Sequence, residues 1–275
     1  MVIAYIFFGF LGLVVGSFLN VLTLRVANGE PFLAPRSHCP HCRTLLAWFD
    51  NIPLFSFLVL RGRCRSCQTA ISWQYPLVEL ATAIGFIVVA FLHRDLFFGI
   101  ASLLELGTTP YSLQLTAYSF AAILRDLIAV AGMIALFVFD FRWMIVPDEV
   151  SLPLIIVIGF LNLAVGVAWS SLALGIIVGG GFFFALWALS RGQWVGSGDI
   201  RLGAFLGAML GWPTTLLALY VSYLIGGGVA TSLLLSGRKK MGSRLPMGAF
   251  LMVGGFAALA EKSVFEHWWS TLFFQ

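Results

Sequence analysis

Long apolar runs alternate with short polar breaks along this chain. The runs cover roughly 2–24, 76–93, 112–140, 150–168, 171–190, 199–212, 214–236 and 245–261. A membrane-crossing helix needs ~20 apolar residues, so the pattern predicts an all-α polytopic membrane protein with about eight transmembrane helices. The sixth run is short, and the third is interrupted by Arg125 and Asp126. Only one polar stretch is substantial, 25–75, between the first two runs. The expected organisation is a first helix over 1–24, a small polar domain over 25–75 and a membrane domain over 76–275. Segment 94–111 reads as a modest connection with Gly107-Thr108-Thr109-Pro110 as its turn. The glycine triplets 179–181 and 226–228 lie inside runs and read as sites of close helix packing. No internal repeat is visible.

Composition supports the membrane reading. The chain is 60% hydrophobic and 10% charged, against about 25% charged for soluble domains. The first run lacks a basic n-region and leads into further runs, so no cleavable signal peptide is expected. Charge sets the orientation. Arg25, Arg36, Arg43, Arg61, Arg63 and Arg65 fall between the first two runs. Arg142, Arg191, Arg201, Arg238, Lys239, Lys240 and Arg244 fall in later loops on the same side. Thirteen of the 16 basic residues therefore share one face, assigned to the cytoplasm, and both termini face outward. The net charge of +4 follows from this asymmetry and gives no ground for nucleic acid binding.

A 25–75 domain is too small to bury a good core unaided. Its staple is Cys39-Pro40-His41-Cys42 and Cys64-Arg65-Ser66-Cys67, which contain every cysteine of the chain. Two C-x-x-C knuckles with 21 residues between them fit a tetrahedral Cys₄ zinc site. Paired disulfides are the rival, but a reducing cytoplasm disfavours them. Four protein ligands leave no open position, so the expected metal is structural. His38 and His41 read as bystanders.

Two carboxylates carry the candidate chemistry. Asp140 ends the third run, and Pro147 breaks the chain before the next helix. At a helix C-terminal end the dipole disfavours a negative charge, so Asp140 has no helix-terminus role there. A salt bridge to Arg142, or a snorkelling residue at the boundary, is its bland reading. Asp148 has a bland role in the first turn of the following helix. Asp199 closes Gly196-Ser197-Gly198-Asp199 at the start of the sixth run, where an ordinary N-cap is the alternative. Ionisable groups in or at the edge of membrane helices mark functional sites by default. Asp140 and Asp199 both map to the cytoplasmic edge, where two carboxylates can share one proton, as in an aspartic protease. Nucleophilic serine or cysteine chemistry fits poorly, because the cysteines are used and no histidine lies near a suitable serine.

These residues resemble the type IV prepilin peptidases, within the membrane GxGD aspartic proteases. The resemblance rests on Asp140 with Pro147-Asp148 and on Gly-x-Gly-Asp at 196–199. It extends to Gly16-Ser17-Phe18-Leu19-Asn20-Val21 with Arg25, and to the tetracysteine loop with Asn51-Ile52-Pro53 and Arg61-Gly62-Arg63-Cys64. It also includes Tyr75-Pro76-Leu77-Val78-Glu79 and Leu245-Pro246-Met247-Gly248, and so covers nearly the whole chain. Two departures stand out. Segment 94–126 is longer than usual, and Ala249 replaces a customary second proline. The resemblance implies a multi-pass bacterial inner-membrane enzyme with Asp140 and Asp199 catalytic near the cytoplasmic face. It would cut prepilin or pseudopilin leaders after a glycine. It would then methylate the new N-terminus with S-adenosylmethionine, an activity associated with the cysteine loop. Methylation rests on the resemblance alone, since no glycine-rich Rossmann fingerprint is present. Glu79 is the candidate cofactor contact, with a helix-start charge as its alternative.

Two other classes compete. A proton-coupled transporter would also use intramembrane carboxylates, but transporter sites lie near the midplane, often on inverted repeats. A zinc-docked assembly factor would leave both aspartates unexplained. The implied partners are prepilin-like substrates and membrane lipid.

Overall fold

A computed structural model describes residues 2–31, 37–95, 110–240, 243 and 245–273. Among these the fold is all-α, with two isolated β-bridges and no extended strand. The helices are α1 (Val2–Ala27), α2 (Phe55–Val59), α3 (Gln74–Leu92), α4 (Pro110–Trp143) and α5 (Asp148–Ala164). They continue with α6 (Trp169–Ser190), α7 (Ser197–Leu210), α8 (Thr214–Leu235), α9 (Met247–Ala260) and α10 (Lys262–Phe273). Residues 107–109 of the expected turn, with Arg36 and Arg244, lie outside the described residues. Pro110 opens α4, a position where its missing N–H costs nothing.

Each of the eight apolar runs becomes a helix, yet the count of membrane spans does not follow. Five helices, α1, α3, α4, α6 and α8, are long and apolar enough to cross a membrane, and the bent pair α9–α10 would make a sixth. α5 has 17 residues and α7 only 14. The reason for the short α7 is its surroundings. All its residues from Leu202 to Leu210 except Ala204 are buried, so protein rather than lipid covers it.

The chain divides into two compact units, Met1–Thr116 and Ala117–Gln275. In the first, α1 and α3 cross at glycines. A Cβ on Gly12 would lie 2.6 Å from the Ala83 Cα, and one on Gly16 would lie 2.7 Å from the Glu79 Cα. Small residues let backbones approach where lipid supplies no hydrophobic drive between helices. The pair buries Asn20, Thr23, Glu79 and Thr82. Asn20 donates to the Gly16 and Tyr75 carbonyls at 3.3 and 3.1 Å.

In the second unit α7 is the hub, packed by α5, α6, α8 and α9. Its crossing with α6 is backbone on backbone: a Cβ on Gly203 would run into the Gly179 oxygen, and one on Gly207 into the Gly175 oxygen. Gly254 of α9 meets Ser222 and Ala218 of α8 in the same way, and Gly226 meets the Phe250 ring. Gly181, Gly227 and Gly228 have open space instead, so the triplets serve packing only in part. The two charges inside α4 neutralise each other. Arg125 holds Asp126 through two hydrogen bonds, at 2.7 and 3.0 Å, and donates a third to Asn162 at 3.1 Å. Asn162 donates in turn to the Ala208 and Met209 carbonyls at 2.6 and 3.1 Å, satisfying the last turn of α7.

Candidate active site and metal centre

Asp140 occupies the last turn of α4 and is only 7% exposed. Its Oδ2 accepts the Ala249 N–H at 2.8 Å, and the Gly248 N–H also bonds to the carboxylate. Both donors belong to the first turn of α9. The unfavourable dipole at the end of α4 is thus answered by the favourable N-terminus of another helix, which corrects the sequence picture of an unsupported charge. Gly248 is required for the approach: a Cβ there would lie 2.8 Å from the Asp140 Cγ and would run into Leu202 Cδ1.

Asp199 sits in the first turn of α7 and is half-buried. Its Oδ2 accepts the Gly196 N–H at 3.1 Å, a back-bond of the capping type. The capping alternative is therefore part of its role. The same carboxylate lies within electrostatic reach of Asp140. Gly198 presses on the turn after α4, where a Cβ would lie 2.7 Å from Val146 Cγ2. Arg201 donates to the Val146 carbonyl at 3.0 Å and forms an ion pair with Asp148, the first residue of α5.

The flanking helices overrun this pair. Tyr223 of α8 packs on Phe182 and Phe183 of α6, with ring centroids 5.7 and 6.4 Å apart, and lies within electrostatic reach of Asp199. At 1.5 Å per residue, α6 continues ~10 Å past Phe183 to Ser190, and α8 continues ~18 Å past Tyr223 to Leu235. The carboxylates lie at the termini of their own helices, as expected, while α6 and α8 run on beyond Phe183 and Tyr223.

The cysteine loop belongs to the first unit. The sulfurs of Cys39, Cys42, Cys64 and Cys67 all lie within 4.8 Å of one another, and Cys39 Sγ is 3.9 Å from Cys67 Sγ. Tetrahedral Zn–S bonds of ~2.3 Å place sulfurs about 3.8 Å apart, so the set fits a metal ion. All four thiols are free of disulfides. The two knuckles are copies of one turn. Cys39 N donates to the Thr44 oxygen at 3.0 Å and Arg43 N to the Cys39 oxygen at 2.9 Å, while Cys64 N and Gln68 N repeat these bonds with Thr69 and Cys64. Arg43 and Gln68 both adopt positive φ, and the bridges His38–Leu45 and Arg63–Ala70 correspond. This local repeat escaped the sequence reading because only the cysteines and threonines match. Burial pushes the Cys39 thiol up to about 11. The Thr44 hydroxyl, the Cys67 N–H and the Thr69 hydroxyl hold Cys42, Cys64 and Cys67 below the usual thiol range. His38 and His41 stand outside the ligating set.

Glu79 ties this loop to α3. Its Oε2 accepts the Leu54 N–H at 2.8 Å, and Ser17 bonds to the same carboxylate. Leu54 follows Asn51-Ile52-Pro53 and has φ 57°, a strained value for leucine that the Glu79 bond helps to hold. Arg65 of the second knuckle grips Asp50 at 2.8 and 3.1 Å and covers the Phe49 ring.

Comparison with known families covers both regions of the chain. The bacterial peptidase A24 N-terminal domain matches residues 10–93, and the type IV leader peptidase family matches residues 127–231. A prepilin leader peptidase/N-methyltransferase of Aeromonas hydrophila is 30% identical, over 95% of this chain and 92% of its own. One of Burkholderia pseudomallei (strain 1026b) is 33% identical over 90% and 82%, and one of Pectobacterium carotovorum subsp. carotovorum is 32% identical over 90% and 89%. The chain belongs to the prepilin leader peptidase/N-methyltransferase family. It is an enzyme of that type. No solved structure matches it.

The family's two matched regions contain the two sites separately, with the cysteines in the first and the aspartates in the second. Of the residues named from sequence, Asp140 and Asp199 come together in one unit, and the four cysteines do so in the other. Four contributors to the aspartate site were missed: the Gly248 N–H, the Ala249 N–H, Arg201 and Tyr223. Gly248 carried a signal through its motif. A backbone N–H carries none in the sequence, and Arg201 read as one more cytoplasmic charge.

Proposed function

We propose that this enzyme cleaves prepilin or pseudopilin leaders after a glycine, using Asp140 and Asp199 as an aspartyl pair. The observation that carries the reading is the lodging of two carboxylates on backbone N–H groups at two helix starts, with Asp199 within reach of the Asp140 charge. Like charges so placed favour a singly protonated pair. The ionised carboxylate takes a proton from water, and the hydroxyl attacks the scissile carbonyl. The protonated carboxyl donates to the carbonyl oxygen, and a proton passes to the leaving amine as the C–N bond breaks. Membership in a leader peptidase family argues against the proton-coupled transporter.

We read α5, α7 and α9 as membrane-embedded too, α7 and α9 covered by neighbouring helices and α5 presenting apolar side chains such as Ile156 and Phe160 outward, so that eight helices cross the inner membrane. The loop charges place the aspartates toward the cytoplasm. Residues 25–75 then form the zinc-stapled, methylation-associated domain, and 76–275 the peptidase domain. Zinc held by Cys39, Cys42, Cys64 and Cys67 would supply folding energy to a loop too small for its own core. The freed N-terminal amine is the group that S-adenosylmethionine would methylate. Glu79 is the proposed contact for that donor, because a carboxylate keeps acceptor capacity beyond its bonds to Leu54 and Ser17. Its bond to Leu54 is also structural, and we route no methyl-transfer step through it.

The test is cleavage of a prepilin by the purified full chain in lipid, with Asp140→Asn and Asp199→Asn. Each variant should lose several orders of magnitude in rate. Near-normal cleavage by either would end the aspartyl reading.

A further inference from the structure

We infer that Arg201 is the positioning residue that fixes Asp140 and Asp199 in register, by clipping the turn after Asp140 onto the helix that bears Asp199. The two carboxylates sit on helices far apart in sequence, and hydrogen bonds from Gly196, Gly248 and Ala249 orient each one without fixing their separation. Something must tie the end of α4 to the start of α7. The chain leaves α4 through Met144, Ile145, Val146 and Pro147, with Met144 at φ 54°, and enters α5 at Asp148. This turn meets α7 in two places. Gly198 packs on the Val146 side chain so closely that a Cβ would lie 2.7 Å from Cγ2. Arg201 donates to the Val146 carbonyl at 3.0 Å and pairs with the Asp148 carboxylate, so one guanidinium brackets both sides of Pro147.

The chemistry suits a clip rather than a stabilising bridge. The Val146 carbonyl and the Asp148 carboxylate both meet one nitrogen, Nη1, so a single cationic head with more than one N–H holds the two acceptors together, a task that a lysine ammonium can share. The pair is open to solvent, with side-chain exposures of 31% for Arg201 and 54% for Asp148. Exposed ion pairs contribute little to global stability. Residues two apart on a helix do not share a face, so Arg201 works on the turn and not on the Asp199 carboxylate itself. Its effect should therefore appear in the chemical step, because small displacements of reacting groups cost rate steeply.

The inference rests on the aspartyl reading, and the experiment separates the two. Leader cleavage of a prepilin by the full chain in lipid is measured as kcat and KM, with thermal stability alongside, for Arg201→Ala, Arg201→Gln, Arg201→Lys and Asp148→Asn. Arg201→Ala should lower kcat by about tenfold or more with KM within about twofold and Tm nearly unchanged. Arg201→Lys, which keeps the charge and a donor, should recover most of that loss. Arg201→Gln, which keeps a donor alone, should fall between, and it serves in place of the alanine variant if that one fails to assemble. Asp148→Asn leaves the bond to Val146 and should stay within about threefold of the parent enzyme. Parental kcat in Arg201→Ala, a loss matched by a fall in Tm, or no recovery by lysine would each overturn the clip. Asp140→Asn is the control: if it cleaves, the aspartyl reading fails whatever Arg201 does, and if it is dead while Arg201→Ala is fully active, the clip alone fails.

Discussion

The cysteine centre and the aspartate centre are built in opposite ways. The first comes from a continuous stretch, in which one turn is used twice and the ligands are side chains at fixed spacing. The second draws Asp140, Asp199 and the Gly248-Ala249 amides from three helices, and much of what surrounds the carboxylates is backbone. A local site advertises its geometry, because spacing within a tight turn is geometry. A distributed site advertises only its residue types, since helix packing decides which of them meet. The glycine crossings show where that packing is decided.

The comparison can be broken at several points. The largest effect should come from Gly203→Leu, whose side chain would have to occupy space held by the Gly179 carbonyl and the Phe183 ring. Loss of folded protein, scored by detergent-solubilised yield and size exclusion, is expected, while normal yield would refute the close α6–α7 crossing. Next is the metal. One zinc per chain is expected by elemental analysis, and serine at all four cysteines should abolish metal and methylation while sparing cleavage in large part. Mass spectrometry of the product should show cut, unmethylated pilin, and normal methylation would sink the assignment. Metal content should fall as pH falls, because the ligands must shed their protons to bind.

Smaller effects sharpen the picture of the aspartate centre. Gly248→Ala should push the Asp140 carboxylate or Leu202 aside and slow cleavage by roughly 10- to 100-fold. Methylation of a pilin supplied already cut should be unaffected. Unchanged cleavage would show that the contact between α9 and Asp140 is dispensable. Ala249→Pro removes one donor to Asp140 and leaves that of Gly248. Proline is tolerated in the first turn of a helix, and a bond made equally in ground and transition states does not move kcat, so the loss should be about threefold or less. Parallel kcat measurements on the two variants decide whether space or hydrogen bonding matters more beside Asp140.

Much of this was legible beforehand. Each hydrophobic run located a helix, because apolar length is written directly in composition. They did not give the number of full spans, since α5 and α7 are short and α7 is shielded by protein. The cysteine set was legible from spacing, but the matching of its two turns was not, because it depends on positive φ at the dissimilar Arg43 and Gln68. Both aspartates were legible as charges out of place. The amides beneath Asp140 were not, because an N–H leaves no mark in sequence. Nor was the bond between Glu79 and Leu54, which joins residues 25 apart through a backbone group.

The central claim is that Asp140 and Asp199 act as one catalytic unit, and the most direct test is additivity. Single-turnover cleavage of a prepilin should be compared for Asp140→Asn, Asp199→Asn and the double variant, all at matched membrane insertion. A shared pair predicts that each single change costs several orders of magnitude and that the double variant is no slower than the singles. Independent, multiplying losses, or a single variant that still cleaves at an appreciable rate, would contradict it.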